Sequence, residues 1–402
     1  MKVAFIVQRC DEDIIGGSET LCLNLAKRLA GHLDIEVITT CARDYVTWKN
    51  ELPEGLREEA GVSIRRFPVK KERDNRFNRL YSKMQIVGTS GRREQLRWMK
   101  YQGPYTPSLL KYLKEHNKDY DLLVFFTYLY YTTFHGITVA PEKSVLIPTA
   151  HDEPPIYFNI YDDVFLKPRG IIYLTPEERE FVQGRFHNEA IRNEVIGMGI
   201  NEVGNSRISN GKELETLKPY ILYFGRIEPS KGCDTLFAFF RRYKDTHPGG
   251  LNLVLFGDAV MSIPEAKDIV FLGRLNEAEK QNVIRNAEIV VQPSPYESFS
   301  INTLEAMLLE VPVVVNGESK VLKGHCGRSR AGLCYSDFVE FTGAITRLLN
   351  DKSLRREFGV RGRQYVRAEY NWDTVKDKYI VFLDKTFTDI KGQSITGGEK
   401  SS

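Results

Sequence analysis

Long apolar runs are missing from this sequence of 402 residues. The longest candidate, Leu122 to Phe134, is interrupted by Thr127, Thr132 and Thr133 and falls short of the roughly 18 residues that a membrane-crossing helix requires. The first residues, Met1-Lys2-Val3-Ala4-Phe5-Ile6-Val7, are too short an apolar run for a signal-peptide core, and Arg9, Asp11, Glu12 and Asp13 follow at once. They read as a buried first strand, and the location expected is cytoplasmic. Cysteine is sparse as well: Cys10, Cys22, Cys41, Cys233, Cys326 and Cys334 show no CxxC spacing, which argues for reduced thiols and against a zinc site. No charge of one sign dominates, since the net charge is only +3 with 27% charged residues. Low-complexity sequence is absent before the polar end Gly397 to Ser402, and 390–402 is read as a flexible tail.

What is present is an alternation. Short β-branched and aromatic runs (Val3 to Val7, Ile35 to Thr39, Ile221 to Phe224, Leu251 to Phe256) are interleaved with helical patterns after Ser18 and after Asp234, the punctuation of α/β domains with parallel sheets. The pattern restarts after Asn201 to Lys218, whose Gly, Asn and Ser content suits a linker. The reading is therefore an N-terminal domain over 1–200, a linker over 201–218 and a C-terminal domain over 219–371. A last helical pattern, Trp372 to Phe387, follows; it either crosses back onto the first domain or stays as a simple C-terminal helix on its own domain.

Three clusters carry candidate chemistry. Gly16-Gly17-Ser18-Glu19 follows the first strand and opens a helix, so glycine backbone and helix N–H groups can approach a phosphate; a plain strand-to-helix turn would look the same. Gly225-Arg226-Ile227-Glu228-Pro229-Ser230-Lys231-Gly232 places a planar guanidinium and a compact ammonium in the loop after a strand, a pair able to neutralise a departing diphosphate. Tyr296-Glu297-Ser298-Phe299-Ser300-Ile301-Asn302-Thr303-Leu304-Glu305 follows the strand Glu288 to Val291; with a helix starting near Ser300, Glu297 stands in the loop and Glu305 about a turn and a half along. The amides of Phe299, Ser300 and Ile301 then face the same space as Glu297.

Together with His151-Asp152, Gly257-Asp258 and Gly273-Arg274, these residues resemble the retaining glycosyltransferases of family four, and the resemblance covers nearly the whole chain. It implies the GT-B fold, two Rossmann-like doubly wound parallel-sheet domains facing a central cleft, with the helix 372–387 crossing back to brace the first domain. It implies that Glu297 touches the donor sugar, that Glu305 takes the ribose hydroxyls, and that Arg226 and Lys231 hold the diphosphate with help from the Gly17 amide. Gly16, Gly257, Arg274 and Glu277 join the donor site, and His151 is either a donor-sugar contact or a structural histidine. The implied reaction retains the anomeric configuration, uses front-face attack assisted by the leaving phosphate, and needs no metal and no cofactor beyond the nucleotide-sugar substrate. Ser300 departs from the family pattern, which often has glycine there, and Asn316-Gly317-Glu318-Ser319-Lys320 departs from its small-residue stretch.

Glu277 could accept the paired N–H donors of guanine, which leans the donor toward a GDP-sugar such as GDP-mannose with UDP-sugars close behind; it is equally suited to the first turn of a helix. Between Arg65 and Lys114 stand fourteen Lys or Arg with Phe67, Phe77, Tyr81, Met84, Trp98 and Tyr101 among them. Such a stretch suits an anionic lipid surface, and so peripheral membrane association and a glycan or lipid-linked acceptor of cell-surface polysaccharide or lipopolysaccharide synthesis. A solvated basic face is the plainer alternative, and a nucleic-acid partner is not expected because no recognition motif accompanies the charge. Three rival readings remain: a metal-dependent transferase using Asp11-Glu12-Asp13, a nucleotide-sugar epimerase of the same architecture, and a non-catalytic glycan-binding protein.

Overall fold

The computed structural model describes residues 1–14, 16–59, 61–73, 76–87, 91–202 and 216–396, with 85–87 and 393–396 by backbone alone. The chain divides into two compact units, Met1–Met198 with Asp373–Ser402, and Gly199–Trp372. Most of the expected linker, 203–215, and the last residues of the expected tail, 397–402, lie outside the described residues.

In the first unit, β1 (Lys2–Ile6), β2 (Asp34–Thr40), β3 (Gly55–Glu59), β4 (Val62–Phe67), β5 (Leu122–Phe126), β6 (Ser144–Ile147), β7 (Gly170–Tyr173) and β8 (Arg192–Val195) form one sheet in the order β3-β4-β2-β1-β5-β6-β7-β8. All neighbours run parallel except β3, which lies antiparallel at the edge against β4. The central strands are covered on both faces, so they read as continuous apolar runs such as Leu122-Leu123-Val124-Phe125-Phe126; the polar edge strand Gly-Leu-Arg-Glu-Glu is exposed. After β1 the helix Gly17–Leu29 turns Leu21, Leu25 and Leu29 inward, one face of a 3.6-residue period.

The second unit holds β9 (Tyr220–Phe224), β10 (Asn252–Phe256), β11 (Ile269–Phe271), β12 (Ile289–Gln292), β13 (Val313–Asn316) and β14 (Gly332–Tyr335) in the order β11-β10-β9-β12-β13-β14, all parallel. This is the dinucleotide-fold order, in which the chain reverses its direction of winding between β9 and β12 and leaves a crevice outside their C-terminal ends.

The final helix, Trp372–Thr396, runs past the 372–387 read from sequence and into the stretch read as a tail. It packs on the first unit: the Tyr379 hydroxyl donates to the Gly197 carbonyl at 3.0 Å, the Phe382 ring lies over Gly170, and Arg192 pairs with Asp389.

The basic stretch is corrected in one respect. Phe77, Tyr81 and Trp98 stack on one another at 5.8–6.2 Å between the helices Arg76–Val87 and Arg92–Gln102, and Met84 and Trp98 are buried. Phe67 packs on Tyr112, and Tyr101 lies under Arg76. These rings are consumed by packing against the sheet and by cation stacking, so the outward face carries charge without an aromatic rim: Arg79, Lys83, Arg92, Arg93 and Arg97 are exposed. Arg65 and Arg66 are not part of that face, being paired with Glu36 and Glu59.

Arg66 is wholly buried, forks onto both Glu59 oxygens at 2.7 and 2.5 Å, and donates to the Cys10 carbonyl at 2.9 Å. Removing one partner of such a pair strands the other, at a cost of about 3–5 kcal/mol. Arg66→Met is therefore expected to lower the unfolding free energy of the first unit, measured by urea titration, by up to about that amount, and Glu59→Gln, which keeps an acceptor for Arg66, by less.

Candidate functional site

The loops that leave β9, β10 and β12 meet at the reversal point of the second sheet. Gly225 and Gly257 both have positive φ, +129° and +126°, and a Cβ on Gly257 would sit 2.1 Å from the Gly225 carbonyl oxygen. Only glycine lets the two backbones touch in this way. That close approach fixes the loop from which Arg226 projects. Its guanidinium lies 3.3 Å from Glu228, a buried carboxylate that also accepts from the Ser230 hydroxyl at 2.8 Å. Five residues on, the ammonium of Lys231 donates to Glu297 at 2.7 Å with both side chains largely covered. The structure thus brings together two residues, 66 apart in the chain, that sequence assigned to the diphosphate and to the sugar.

Past Glu297 the backbone turns sharply. Ser300 takes φ +61° and ψ +68°, the left-handed region in which glycine is unstrained, which gives a physical reason for glycine at this place in the family pattern. Its hydroxyl is 2.9 Å from that of Thr303, and the Asn302 amide donates to the Phe224 carbonyl at 2.6 Å, joining the helix Ile301–Leu308 to the end of β9. The amides of Phe299, Ser300 and Ile301 lie at the N-terminal end of this helix, while the Phe299 ring is turned into the core against Tyr370. Glu305 lies in the same helix and meets Lys280 at 2.7 Å. Burial pushes the Glu305 carboxyl up, and Lys280 pulls it back; burial works against the Lys280 charge, but Glu305 and Glu277 beside it raise its pKa above the usual lysine value. The contact of Lys280 with Glu305 joins residues 25 apart, a pairing that no local spacing signals.

Glu277 is the first residue of the helix Glu277–Arg285, whose capping box is formed by Asn276 and Glu279. It is mostly exposed and holds Lys280 at 3.0 Å, so it does serve the first helical turn. Arg274 is exposed and paired with Asp258.

Gly16, Gly17 and His151 belong to the first unit. A Cβ on Gly16 would meet the Glu19 carboxylate at 2.4 Å, whereas one on Gly17 would meet nothing within 4 Å. Glu19 is buried and bound to Arg9 at 2.6 Å, so this motif glutamate braces the loop after β1 from within. His151 stands after β6 with its Nε2 3.6 Å from Glu153, whose carboxylate accepts from the Tyr128 hydroxyl at 2.7 Å. The preceding amide, Ala150, donates to Glu178 at 2.6 Å, and so does that of Leu174. Glu178 is fully buried, and desolvation pushes its carboxyl up to about 8.

Asp11, Glu12 and Asp13 each face a different cation: Arg66 at 3.5 Å, Lys27 at 2.5 Å and Arg43 at 2.7 Å. Their carboxylates are spread over three ion pairs rather than gathered on one point, and among the described residues no cluster of three metal-ligating side chains occurs. All six cysteines are free thiols, five of them buried. No helix among the described residues is long and apolar enough to cross a membrane.

Two doubly wound parallel sheets, with cations and carboxylates gathered at the reversal point of the second, define the architecture as GT-B. Two solved structures share it along almost their whole length: sucrose-phosphate synthase from Thermosynechococcus elongatus, with a TM-score of 0.72 at 18% identity over 96% of this chain and 99% of that one, and Anabaena HepE in complex with UDP and glucose, with 0.71 at 16% over 96% and 100%. Residues 205–365 match the family of glycosyl transferases group 1. Glycogen synthase of Mycobacterium tuberculosis is 29% identical over 169 residues, which is 39% of this chain and 40% of that protein. The match thus spans less than half the length of this relative.

Glu178 gives a test of the His151 loop. A carboxyl held above its unfolded value binds a proton more tightly in the native state, so its contribution to stability falls as the pH rises from the unfolded value near 4.5 to about 8 and is constant beyond. Glu178→Gln removes that titrating carboxyl. The unfolding free energy of wild type relative to Glu178→Gln is expected to decline from pH 5 to pH 8 in urea titrations, and a pH-independent difference contradicts the assignment.

Proposed function

We propose that the chain is a retaining, metal-independent glycosyltransferase that moves a sugar from a nucleoside diphosphate-sugar to a glycan or lipid-linked acceptor. The observation that carries this reading is the 2.7 Å contact of Lys231 with Glu297 at the reversal point of the second sheet. An ammonium beside a carboxylate suits the junction of a nucleotide-sugar, where a charged phosphate oxygen adjoins sugar hydroxyls. Arg226 and Lys231 neutralise the diphosphate as the bond from the anomeric carbon to its oxygen breaks; the acceptor oxygen bonds to that carbon on the same face, and its proton passes to the leaving phosphate. Glu297 orients the sugar, Glu305 accepts from the ribose hydroxyls, and Lys280 favours the charged form of the buried Glu305 against the desolvation that opposes it. His151 and the Gly17 amide keep the roles that the resemblance gives them. Glycosyl transferases group 1 as the matching family, and glycogen synthase as a relative, support transfer over epimerisation or simple glycan binding.

GDP-mannose remains the leading donor through Glu277. A UDP-sugar is the second reading, favoured by the similarity to HepE, whose structure contains UDP and glucose, and by the contact that already occupies Glu277 with Lys280.

Calorimetric titration with GDP, UDP and ADP in EDTA is expected to give binding of one of the first two, weakened about 10-fold or more by Arg226→Ala and by Glu305→Ala, the loss of a charged hydrogen bond. Failure to bind any of the three sinks the reading, and binding that vanishes in EDTA replaces it with a metal-dependent one.

An acceptor carried on an anionic surface suits the outward charges of the helices Arg76–Val87 and Arg92–Gln102. Sedimentation with phosphatidylglycerol vesicles at low salt is expected, reduced by Arg92→Glu with Arg93→Glu; a pellet indifferent to salt and to both changes removes electrostatic docking.

A further inference from the structure

His325 lies in the helix Lys320–Ser329, is completely buried, and takes no part in the transfer described above. Its Nε2 is 2.8 Å from the Phe299 carbonyl oxygen and its Nδ1 is 3.0 Å from the Tyr365 hydroxyl. The proton positions follow from the partners. A carbonyl only accepts, so Nε2 carries a hydrogen. Burial, with Arg328 nearby, pushes the ring down to about 3, so the imidazole is neutral and Nδ1 offers a lone pair. The Tyr365 hydroxyl must then donate to Nδ1. With its one hydrogen used, Tyr365 accepts from Arg328 Nε at 3.2 Å and from the Tyr370 hydroxyl at 3.2 Å. The hydrogen bonds form one directed chain that ends on the Phe299 carbonyl.

Phe299 stands two residues after Glu297 and immediately before the left-handed Ser300. A backbone in that sparsely populated region persists only when its surroundings hold it on both sides. On the far side the Ser300 hydroxyl meets Thr303 at 2.9 Å; on the near side the carbonyl meets His325. We propose that His325 is a positioning residue for the donor sugar: by holding the Phe299 carbonyl it sets where Glu297 stands against Lys231. The inference rests on the transferase reading of this site. The other end of the chain, Tyr370, precedes the point where the polypeptide leaves the second unit, and its carbonyl accepts from the Ile200 amide at 2.7 Å. The loop that carries Glu297 is thereby joined through hydrogen bonds to the segment by which the unit begins and ends.

The test separates the sugar from the diphosphate. GDP and UDP, together with GDP-mannose and UDP-glucose, are titrated into the unsubstituted protein, and the tighter pair is carried forward. His325→Phe keeps an aromatic ring but loses the donor to Phe299; His325→Gln restores an N–H near the Nε2 position. For His325→Phe, diphosphate affinity is expected to stay within about threefold of wild type, while nucleotide-sugar affinity and the kcat of donor hydrolysis fall about tenfold or more. His325→Gln is expected to recover most of that loss, and Tyr365→Phe, which leaves the imidazole in place without its orienting donor, to fall between. A rescued loss confined to the sugar is not what general destabilisation produces. Unchanged sugar affinity and hydrolysis in His325→Phe overturn the inference, and so does an equal loss of diphosphate and sugar affinity that His325→Gln fails to recover. If the unsubstituted protein binds no nucleotide, both this inference and the transferase reading fail; if it binds normally and His325→Phe matches it, this inference alone fails.

Discussion

Adjacent parallel strands cannot be joined by a tight turn; each needs a crossover, and crossovers put helices on the faces and loops at the strand ends. In the second unit this constraint determines where chemistry can collect. The strand order makes β9 and β12 neighbours although they are not consecutive, so the loops beginning at Gly225 and Pro293 open side by side. Arg226, Lys231 and Glu297 are then brought together by topology before any of their own attractions act. The Gly225 to Gly257 contact and the Asn302 bond to Phe224 narrow that placement to a few ångströms.

Electrostatics refine what topology provides. Lys231 faces Glu297, Lys280 faces Glu305, and Arg226 faces Glu228, so each cation of the second unit named for the donor diphosphate or ribose has a carboxylate within 3.3 Å. Partly buried charges of opposite sign attract one another more strongly than in water and hold the side chains still. On the function proposed above, an entering diphosphate would share these cations with carboxylates that in turn find hydroxyl donors on the sugar and the ribose. Recognition in such a site depends on the whole ligand, because a phosphate alone supplies the anion without the hydroxyls.

Much of this could be read from sequence, and the exceptions have physical reasons. β9, β10 and β12 are buried on both faces and so appear as apolar runs; Arg226 with Lys231 and Glu297 with Glu305 lie at short spacings after such runs. Lys280, His325 and Glu178 are not visible as site residues, because each also has a partner 25 or more residues away, Glu305, Phe299 and Ala150 in turn, and pairing across a fold leaves no spacing to read. The aromatic residues of the basic stretch differ from expectation for another reason. Phe77, Tyr81 and Met84 recur at intervals of four and three, which is one face of a helix, and a face that regular belongs against the core. Charge drew attention outward where periodicity pointed inward. Ser300 stands out in the sequence as a departure from glycine, but the left-handed backbone that favours glycine there is a property of the folded chain.

Gly199 and Trp372 end the second unit, and the indole lies so close over the glycine that a Cβ there would stand 2.3 Å from it; Asn201 accepts from the indole N–H at 2.8 Å. The unit therefore begins and ends at a single stapled point, as an insertion does within a host domain. Chain ends already in contact can be separated from their flanking segments without opening the core between them. In modular terms, the portion that bears Arg226, Lys231 and Glu297 has the topology of a transplantable cassette.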